Sequence, residues 1–74
     1  MENRIKKVMS AVFEIPVEQI NNESSPDNIE LWDSLRHMQL VVALEEEFNI
    51  RFEDEEISEM LNYQLIHHIV SNKI

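Results

Sequence analysis

The 74-residue chain contains no cysteine, no glycine and only two prolines. Without cysteine it can form neither a disulfide framework nor a thiolate zinc site, so any thiol chemistry must come from an attached group. Without glycine it has no Gly-rich loop of the kind that cradles nucleotide phosphates. Its longest apolar stretch is too short for a bilayer, and its first residues, MENRIKKVMS, lack a signal-peptide hydrophobic region. We therefore expect a cytoplasmic protein that does not associate with membranes.

Positive charge is also scarce, and the acidic residues concentrate in the middle of the chain. Residues 1–20 carry no net charge, whereas residues 21–60 hold twelve acidic and two basic side chains, for a net charge of −10. Lys73 then brings the net charge of the whole chain to −9. Such a field repels nucleic acid and attracts partners with basic patches. An acidic run is more often a solvated face that keeps a small protein soluble. Charge alone leaves both explanations open.

The apolar spacing predicts helices. Seventy-four residues can form one small domain, which we expect to span residues 1–74 as a monomer. Five apolar residues recur at i, i+3, i+4, i+7 and i+8, which is typical of an amphipathic helix: Ile5, Val8, Met9, Val12 and Phe13. Pro16 should end this helix near Glu14, and Val17 and Ile20 should fold a short turn back onto the core.

The segment from Asn21 to Asp33 is polar and contains Ser25-Pro26, which predicts a long loop whose far end is anchored by Ile29 and Leu31. A second helix should then run from about Ser34 to Phe48, with Asp33 as its N-cap. In the absence of glycine, Asn49 is the best candidate for the left-handed residue that ends it. Ile50 and Phe52 should turn inward across the following loop.

Two more helices are expected towards the C-terminal end of the chain. A short one spans about Asp54 to Met60 and begins with acidic residues that suit the helix dipole. The last spans about Asn62 to Asn72 and offers four residues to the core: Tyr63, Ile66, Ile69 and Val70. The predicted fold class is all-α: a small four-helix bundle of three longer helices and one short helix, with a long loop between helices one and two.

The second helix presents an apolar side whose members are Leu40, Val41, Leu44 and Phe48, with Met38 at its edge. Leu35 and Val42 project away from the centre of this stripe, beside Gln39 and Glu46. One explanation is a wide stripe packed between two neighbouring helices. The other is an exposed apolar pair framed by carboxylates, which would suit partner enzymes.

No catalytic or metal-binding constellation is recognisable, so we expect the protein not to be an enzyme and to bind no metal. His37 follows Ser34 by three residues, but G-x-S-x-G is absent and so small a bundle offers no oxyanion pocket. A partly buried His37 is the better prediction. The adjacent His67 and His68 point to different faces of the helix, so they cannot share a metal ion without other ligands. The run EDEE at 53–56 lacks the central glycine of an EF-hand loop, so it does not predict a calcium site.

The stretch WDSLRHMQLVVALEEEFNIRFED, residues 32–54, carries the clearest resemblance to a known family. It resembles acyl carrier proteins, which have D-S-L at the head of their second helix and often L-E-E-E-F at its end. In that family the serine is modified with 4′-phosphopantetheine from coenzyme A. The resemblance implies that Ser34 is the attachment site and that Asp33 helps to position the phosphate. It also implies that a set of residues around the second helix contacts partners: Leu35, Arg36, Gln39, Val42 and Glu46.

The resemblance implies a carrier that holds acyl or aminoacyl groups as thioesters on this arm and presents them to other proteins. Its partners would be a phosphopantetheinyl transferase and acyl-loading and acyl-processing enzymes with basic docking patches. Many fatty-acid carriers have a glycine shortly before D-S-L and acidic residues after it. This chain instead has Leu31-Trp32 before and Arg36-His37 after, which favours a dedicated member serving a specialised pathway.

Adaptable methionines suggest that the bundle interior could admit a flexible chain, with a lining of Met9, Met38, Val41, Leu44 and Met60. The alternative hypothesis is a small acidic helical interaction module without a prosthetic group. In that case Ser34 is merely a residue of a helix cap.

Overall fold

The computed structural model describes residues 2–74, which form four α-helices and one 3₁₀ turn without any strand in that range. The helices are α1 (Glu2–Phe13), α2 (Ser34–Phe48), α3 (Asp54–Glu59) and α4 (Tyr63–Ser71), and the 3₁₀ turn covers Val17–Gln19. The predicted all-α fold with a long loop before the second helix is confirmed. The start and end of α2 fall on the predicted residues, and the predicted ends of the last helix, Asn62 and Asn72, are its two caps.

A single apolar core joins α1, α2, α4 and the loop between α1 and α2, and α3 packs against it through the partly buried Ile57. Sixteen buried hydrophobic residues form it: Ile5, Met9, Phe13, Ile20, Ile29, Trp32, Leu40, Val41, Leu44, Phe48, Phe52, Met60, Tyr63, Ile66, Ile69 and Val70. Val8 and Val12 pack against its edge, as their helical spacing predicts, and Ile50 packs there from the loop after α2, as predicted for that loop. Of the predicted turn, Ile20 is buried and Val17 is half-buried.

The helices α1 and α2 end in the same way, although the chain has no glycine. Glu14 and Asn49 adopt left-handed backbone angles, with φ of 57° and 55°. The N–H of Ile15 then donates to the Ser10 carbonyl, and that of Ile50 to the Glu45 carbonyl, which are the six-to-one bonds of a Schellman motif. The prediction for Asn49 is confirmed, whereas the left-handed Glu14 is not signalled by its residue type.

The helices α1 and α2 are antiparallel, and an arginine at the start of each helix contacts the end of the other. At one end the Arg4 guanidinium lies 2.8 Å from the Glu47 carboxylate and 4.5 Å from the Phe48 ring centroid. At the other end Arg36 donates to the Val12 carbonyl and lies 3.1 Å from the Glu14 carboxylate. The second contact fixes the beginning of α2, where Ser34 lies.

The loop at 21–33 is ordered by its own side chains rather than by regular structure. Asn28 accepts the Ser25 N–H and donates to the Glu23 carbonyl, both at 2.9 Å. The carbonyl of the buried Ser24 accepts the Tyr63 N–H, which ties the loop to the start of α4. A loop held at so many points can present the start of α2 in one position.

The prediction that Leu31 anchors the far end of this loop is wrong, because its side chain is 37% exposed. Its neighbour Trp32 is buried instead and stacks on Phe13, with ring centroids 4.8 Å apart. The larger aromatic surface gains more from burial, and the residue next to it then faces solvent. The other predicted anchor, Ile29, is buried.

Candidate functional site

Ser34 is the first residue of α2 and is exposed to solvent. Asp33 precedes it as the N-cap, with an extended backbone and a carboxylate oxygen that accepts the Arg36 N–H at 2.8 Å. The first turn of α2 contains no acidic side chain. The remaining free N–H groups and the positive end of the helix dipole therefore favour an anion at this position. These features fit a phosphate ester on the Ser34 hydroxyl.

His37 lies one turn further along α2 and is held by hydrogen bonds on both ring nitrogens. The Trp32 indole N–H donates to Nδ1 at 3.0 Å, and Nε2 donates to the Ile57 carbonyl at 2.9 Å. Because Nδ1 accepts, the ring proton resides on Nε2. The imidazole is half-buried, as predicted, and with both nitrogens occupied it offers no base to Ser34. The sequence gives one hint of this contact, a tryptophan and a histidine on either side of a helix start, but not its connection to Ile57.

A groove of about 610 Å³ opens beside Ser34, between the loop, the start of α2 and the end of α3. Its lining comprises Pro26, Trp32, Asp33, Ser34, His37, Met38, Ile57, Ser58, Met60 and Leu61. The prediction that Met38 lines the bundle interior is wrong, since its side chain is 49% exposed at the groove. The other four residues of that prediction, namely Met9, Val41, Leu44 and Met60, are buried.

The outer face of α2 carries the predicted apolar pair in an exposed position. Leu35 is 68% exposed and Val42 is 51% exposed, so the explanation of a wide stripe packed between neighbouring helices is wrong. A shallow depression of about 380 Å³ runs along this face and is lined by Leu35, Met38, Gln39, Val42, Ala43 and Glu46. The structure thus brings four of the five predicted partner residues together on one surface.

Arg36, the fifth of these residues, points elsewhere. Its guanidinium is half-buried and faces the C-terminal end of α1, where the Val12 carbonyl and the Glu14 carboxylate receive it. Arg36 donates to the Val12 carbonyl, one of those that the end of α1 leaves without a helical partner. Its contact with partner proteins stays a prediction.

Neither a metal site nor a membrane-spanning helix is found in residues 2–74. No three histidine, aspartate or glutamate side chains of this range are arranged to hold a metal ion. None of its helices combines the length and the apolar character needed to cross a bilayer.

Comparisons with known proteins agree with this geometry. Residues 3–64 match the family model described as "Phosphopantetheine attachment site". The chain is 38% identical to an acyl carrier protein of Buchnera aphidicola subsp. Schizaphis graminum over 74 residues, covering 99% of this chain and 92% of that protein. It is 37% identical over 73 residues to the acyl carrier protein of Buchnera aphidicola subsp. Acyrthosiphon pisum (strain 5A), covering 99% of this chain and 91% of that one. The solution structure of a holo acyl carrier protein from Geobacter metallireducens superposes with a TM-score of 0.86 at 29% identity, covering 99% of this chain and 86% of that chain.

Proposed function

Because this chain belongs to the acyl carrier protein family, it is a carrier with a covalent 4′-phosphopantetheine arm rather than an enzyme, and we propose that Ser34 bears the arm. The observation that supports Ser34 most directly is its exposed hydroxyl at the N-terminus of α2, directly after the capping Asp33. The matched family region also includes this residue. The alternative of an interaction module without a prosthetic group is disfavoured by the family membership.

The residues around Ser34 prepare it for modification without reacting themselves. The backbone N–H groups at the start of α2 stabilise the negative charge of the phosphate diester. Asp33 holds the first turn in place and would also help to position the phosphate in the complex with the transferase. When bound, the arm supplies a thiol that carries the acyl group as a thioester. Since the chain has no cysteine, this is its sole thiol.

The family interacts with a phosphopantetheinyl transferase and with acyl-processing enzymes, and we propose the outer face of α2 as the docking surface. Leu35 and Val42 offer apolar contact, while Gln39 and Glu46 lie beside them in the same depression. The net charge of −10 over residues 21–60 suits partners with basic patches. Arg36 would take part chiefly by fixing the angle between α1 and the start of α2.

We also propose that the protein acts as a monomer in the cytoplasm, with residues 1–74 as one carrier domain. The single core supports one domain and one chain, because it closes without help from a second copy. The lack of cysteine fits a reducing compartment. Sedimentation equilibrium would test the monomer, and a mass of two chains would contradict it.

Intact-mass spectrometry after incubation with coenzyme A and a phosphopantetheinyl transferase tests the attachment site. The wild-type protein should gain one phosphopantetheinyl group, and Ser34→Ala should gain none. Ser58→Ala is the matched control, because Ser58 is exposed on the opposite wall of the same groove and should not affect the modification. A wild-type chain that gains no mass, or a modified Ser34→Ala, would contradict the assignment.

A further inference from the structure

The groove beside Ser34 has an apolar rim and a closed floor. The side chains of Met38 and Leu61 are exposed at the rim, whereas Trp32, His37 and Met60 form the floor. Beyond this floor lies the packed core, in which Leu40 and Leu44 of α2 have no exposed surface. An acyl chain attached through Ser34 therefore meets the floor before it can reach the core.

Within this floor, the side chain of His37 joins three segments of the chain. The His37 imidazole extends from α2, accepts from Trp32 at the end of the loop and donates to Ile57 in α3. It also stacks beside the indole, with ring centroids 6.2 Å apart and planes at 16°. Both hydrogen bonds are partly buried, which strengthens them relative to bonds in water.

Moving α3 away from α2 would break this bridge. The Nε2–H of the half-buried His37 would then lose its acceptor, the Ile57 carbonyl, which is costly for a polar group partly shielded from water. His37 cannot simply move with α3, because it belongs to α2 and its Nδ1 accepts from Trp32, whose ring is stacked on Phe13 of α1. The bridge therefore resists the separation of α2 and α3 that a long acyl chain would need in order to enter the core.

We infer that His37 is a specificity-determining residue of this carrier: its bridge between Trp32 and Ile57 closes the core and keeps the attached acyl group in the outer groove. The inference rests on the proposed attachment at Ser34. His37 acts through position and does not react. A groove of about 610 Å³ lies within the range of small-molecule pockets, and exposed Met38 adapts its shape to the occupant. Because the core is closed, the groove would hold the cargo, which favours a short or compact acyl group.

Methyl NMR of the loaded carrier tests this inference, because groove and core contain different methyl groups. The protein is labelled in its methionine and leucine methyls and loaded by a transferase with unlabelled octanoyl-coenzyme A. In the wild type, the terminal protons of the chain should show nuclear Overhauser contacts to Met38 and Leu61 at the groove rim. They should show none to Leu40, Leu44 or Met9 in the core. Core contacts in the wild-type protein would overturn the inference, whatever the variants do.

Two variants at position 37 separate the bridge from a general structural role. His37→Ala removes the bridge, and the octanoyl chain should then gain contacts to Leu40 and Leu44. His37→Gln restores a donor and an acceptor on one side chain and should return the contacts to the groove rim. If His37→Ala leaves the chain in the groove, or if Gln behaves like Ala, His37 does not determine the position of the cargo.

This experiment also separates the inference from the proposed function. The mass of the loaded protein and the fragment that carries the arm are measured before the NMR spectra. If no arm is attached to Ser34, the proposed function fails and the inference with it. If Ser34 is loaded but the octanoyl chain contacts the core of the wild type, only the inference fails.

Discussion

The Lys73 ammonium lies 2.9 Å from Oε1 of Glu56, the same carboxylate oxygen that accepts the Glu53 N–H at 2.7 Å. Glu53 and Glu56 form the capping box of α3, and Lys73 belongs to the residues that follow α4. The Glu56 carboxylate therefore both caps the N-terminus of α3 and forms an ion pair with the C-terminal segment of the chain. Since α3 has only six residues, its own hydrogen bonds are too few to stabilise it, and these contacts add the stability that it needs.

The Glu56 carboxylate should make stability fall at acidic pH. Its pKa is lowered from the ordinary value of 4.5, first by the Glu53 N–H and then by Lys73. A lowered pKa contributes stability that is fully present above 4.5 and is lost as the pH falls through the value in the folded protein. The unfolding free energies of the wild type and Glu56→Gln should therefore differ most near neutral pH and converge below pH 4. Glu55→Gln, an exposed neighbour, is the control, and a difference that grows with acidification would contradict this account.

Asp33 should have two separable roles. Replacing the capping carboxylate by alanine should cost about 1 kcal/mol, which lowers the melting midpoint of a domain of this size by about 4–8 °C. Asp33→Asn keeps a good capping side chain, so its midpoint should match the wild type. If the negative charge also helps to position the phosphate, the transferase should modify Asp33→Asn more slowly. An equal rate for Asp33→Asn and wild type would limit Asp33 to capping.

Substitutions on the outer face of α2 should impair docking to partners without unfolding the protein. Val42→Asp places a charge in the exposed depression, and Glu46→Lys reverses the charge at its edge. Both should slow acyl transfer to a cognate partner. The loss in Glu46→Lys should shrink at high salt because it acts through electrostatic steering, whereas that in Val42→Asp should persist.

Circular dichroism provides the control for these two variants. Since half of the Val42 side chain is exposed, Val42→Asp should retain the wild-type helical content. Glu18→Lys makes the same charge change in the exposed 3₁₀ turn and should leave transfer nearly unchanged. If Glu18→Lys slows transfer as much as Glu46→Lys, net charge rather than this surface governs docking.

The buried hydroxyl of Tyr63 should contribute nothing to stability. Within residues 2–74 it has no hydrogen-bond partner, and burial raises the pKa of Tyr63 to about 12. Tyr63→Phe removes an unsatisfied polar group and should leave the melting midpoint unchanged or raise it, whereas Tyr63→Ala should cost roughly 3–5 kcal/mol. A marked loss in Tyr63→Phe would mean that the hydroxyl has a partner, such as a bound water.

Alkaline titration tests the same group independently. Tyr63 is the only tyrosine, so phenolate absorbance reports its ionisation alone. Because its pKa is higher in the folded protein than the ordinary value of 10.0, the wild type should lose stability as the pH rises from 10 towards 12. Tyr63→Phe should lack this part of the loss.

Added salt should stabilise the protein. The excess of ten negative charges over residues 21–60 produces mutual repulsion, and the few ion pairs that salt also weakens involve partly exposed side chains. Thermal melts at about 0.01 and 0.1 M NaCl, where the Debye length falls from about 30 to about 10 Å, measure the balance. A midpoint that drops on addition of salt would show that attractive pairs outweigh the repulsion.

The sequence predicts α2 well because both of its ends carry local signals. Asp33 is a typical N-cap and therefore indicates a helix that begins at the next residue. Asn49 is the residue best suited to the left-handed backbone conformation that ends a helix in a chain without glycine. The candidate attachment site follows from the same signals together with the family resemblance. Such information lies within a few residues of the feature it specifies, which is why it can be recovered without tertiary structure.

The remaining features depend on contacts between distant residues. His37 and Ile57 are twenty positions apart, and only the packing of α3 brings them together. Met38 lies at the edge of an apolar stripe, and its side chain is exposed in the groove between α2 and α3 rather than buried in the core. Glu14 takes a left-handed conformation because Ile15 closes the end of α1, against the preference of a glutamate.

The burial of Trp32 turns the protein into its own optical sensor. It is the only tryptophan, and its indole forms part of the groove floor while it stacks on Phe13 and donates to His37. The emission of this fluorophore therefore originates at the place where the arm and its cargo would rest. Loading, unloading and release to a partner can be followed in real time on the unlabelled protein, by fluorescence intensity and wavelength alone.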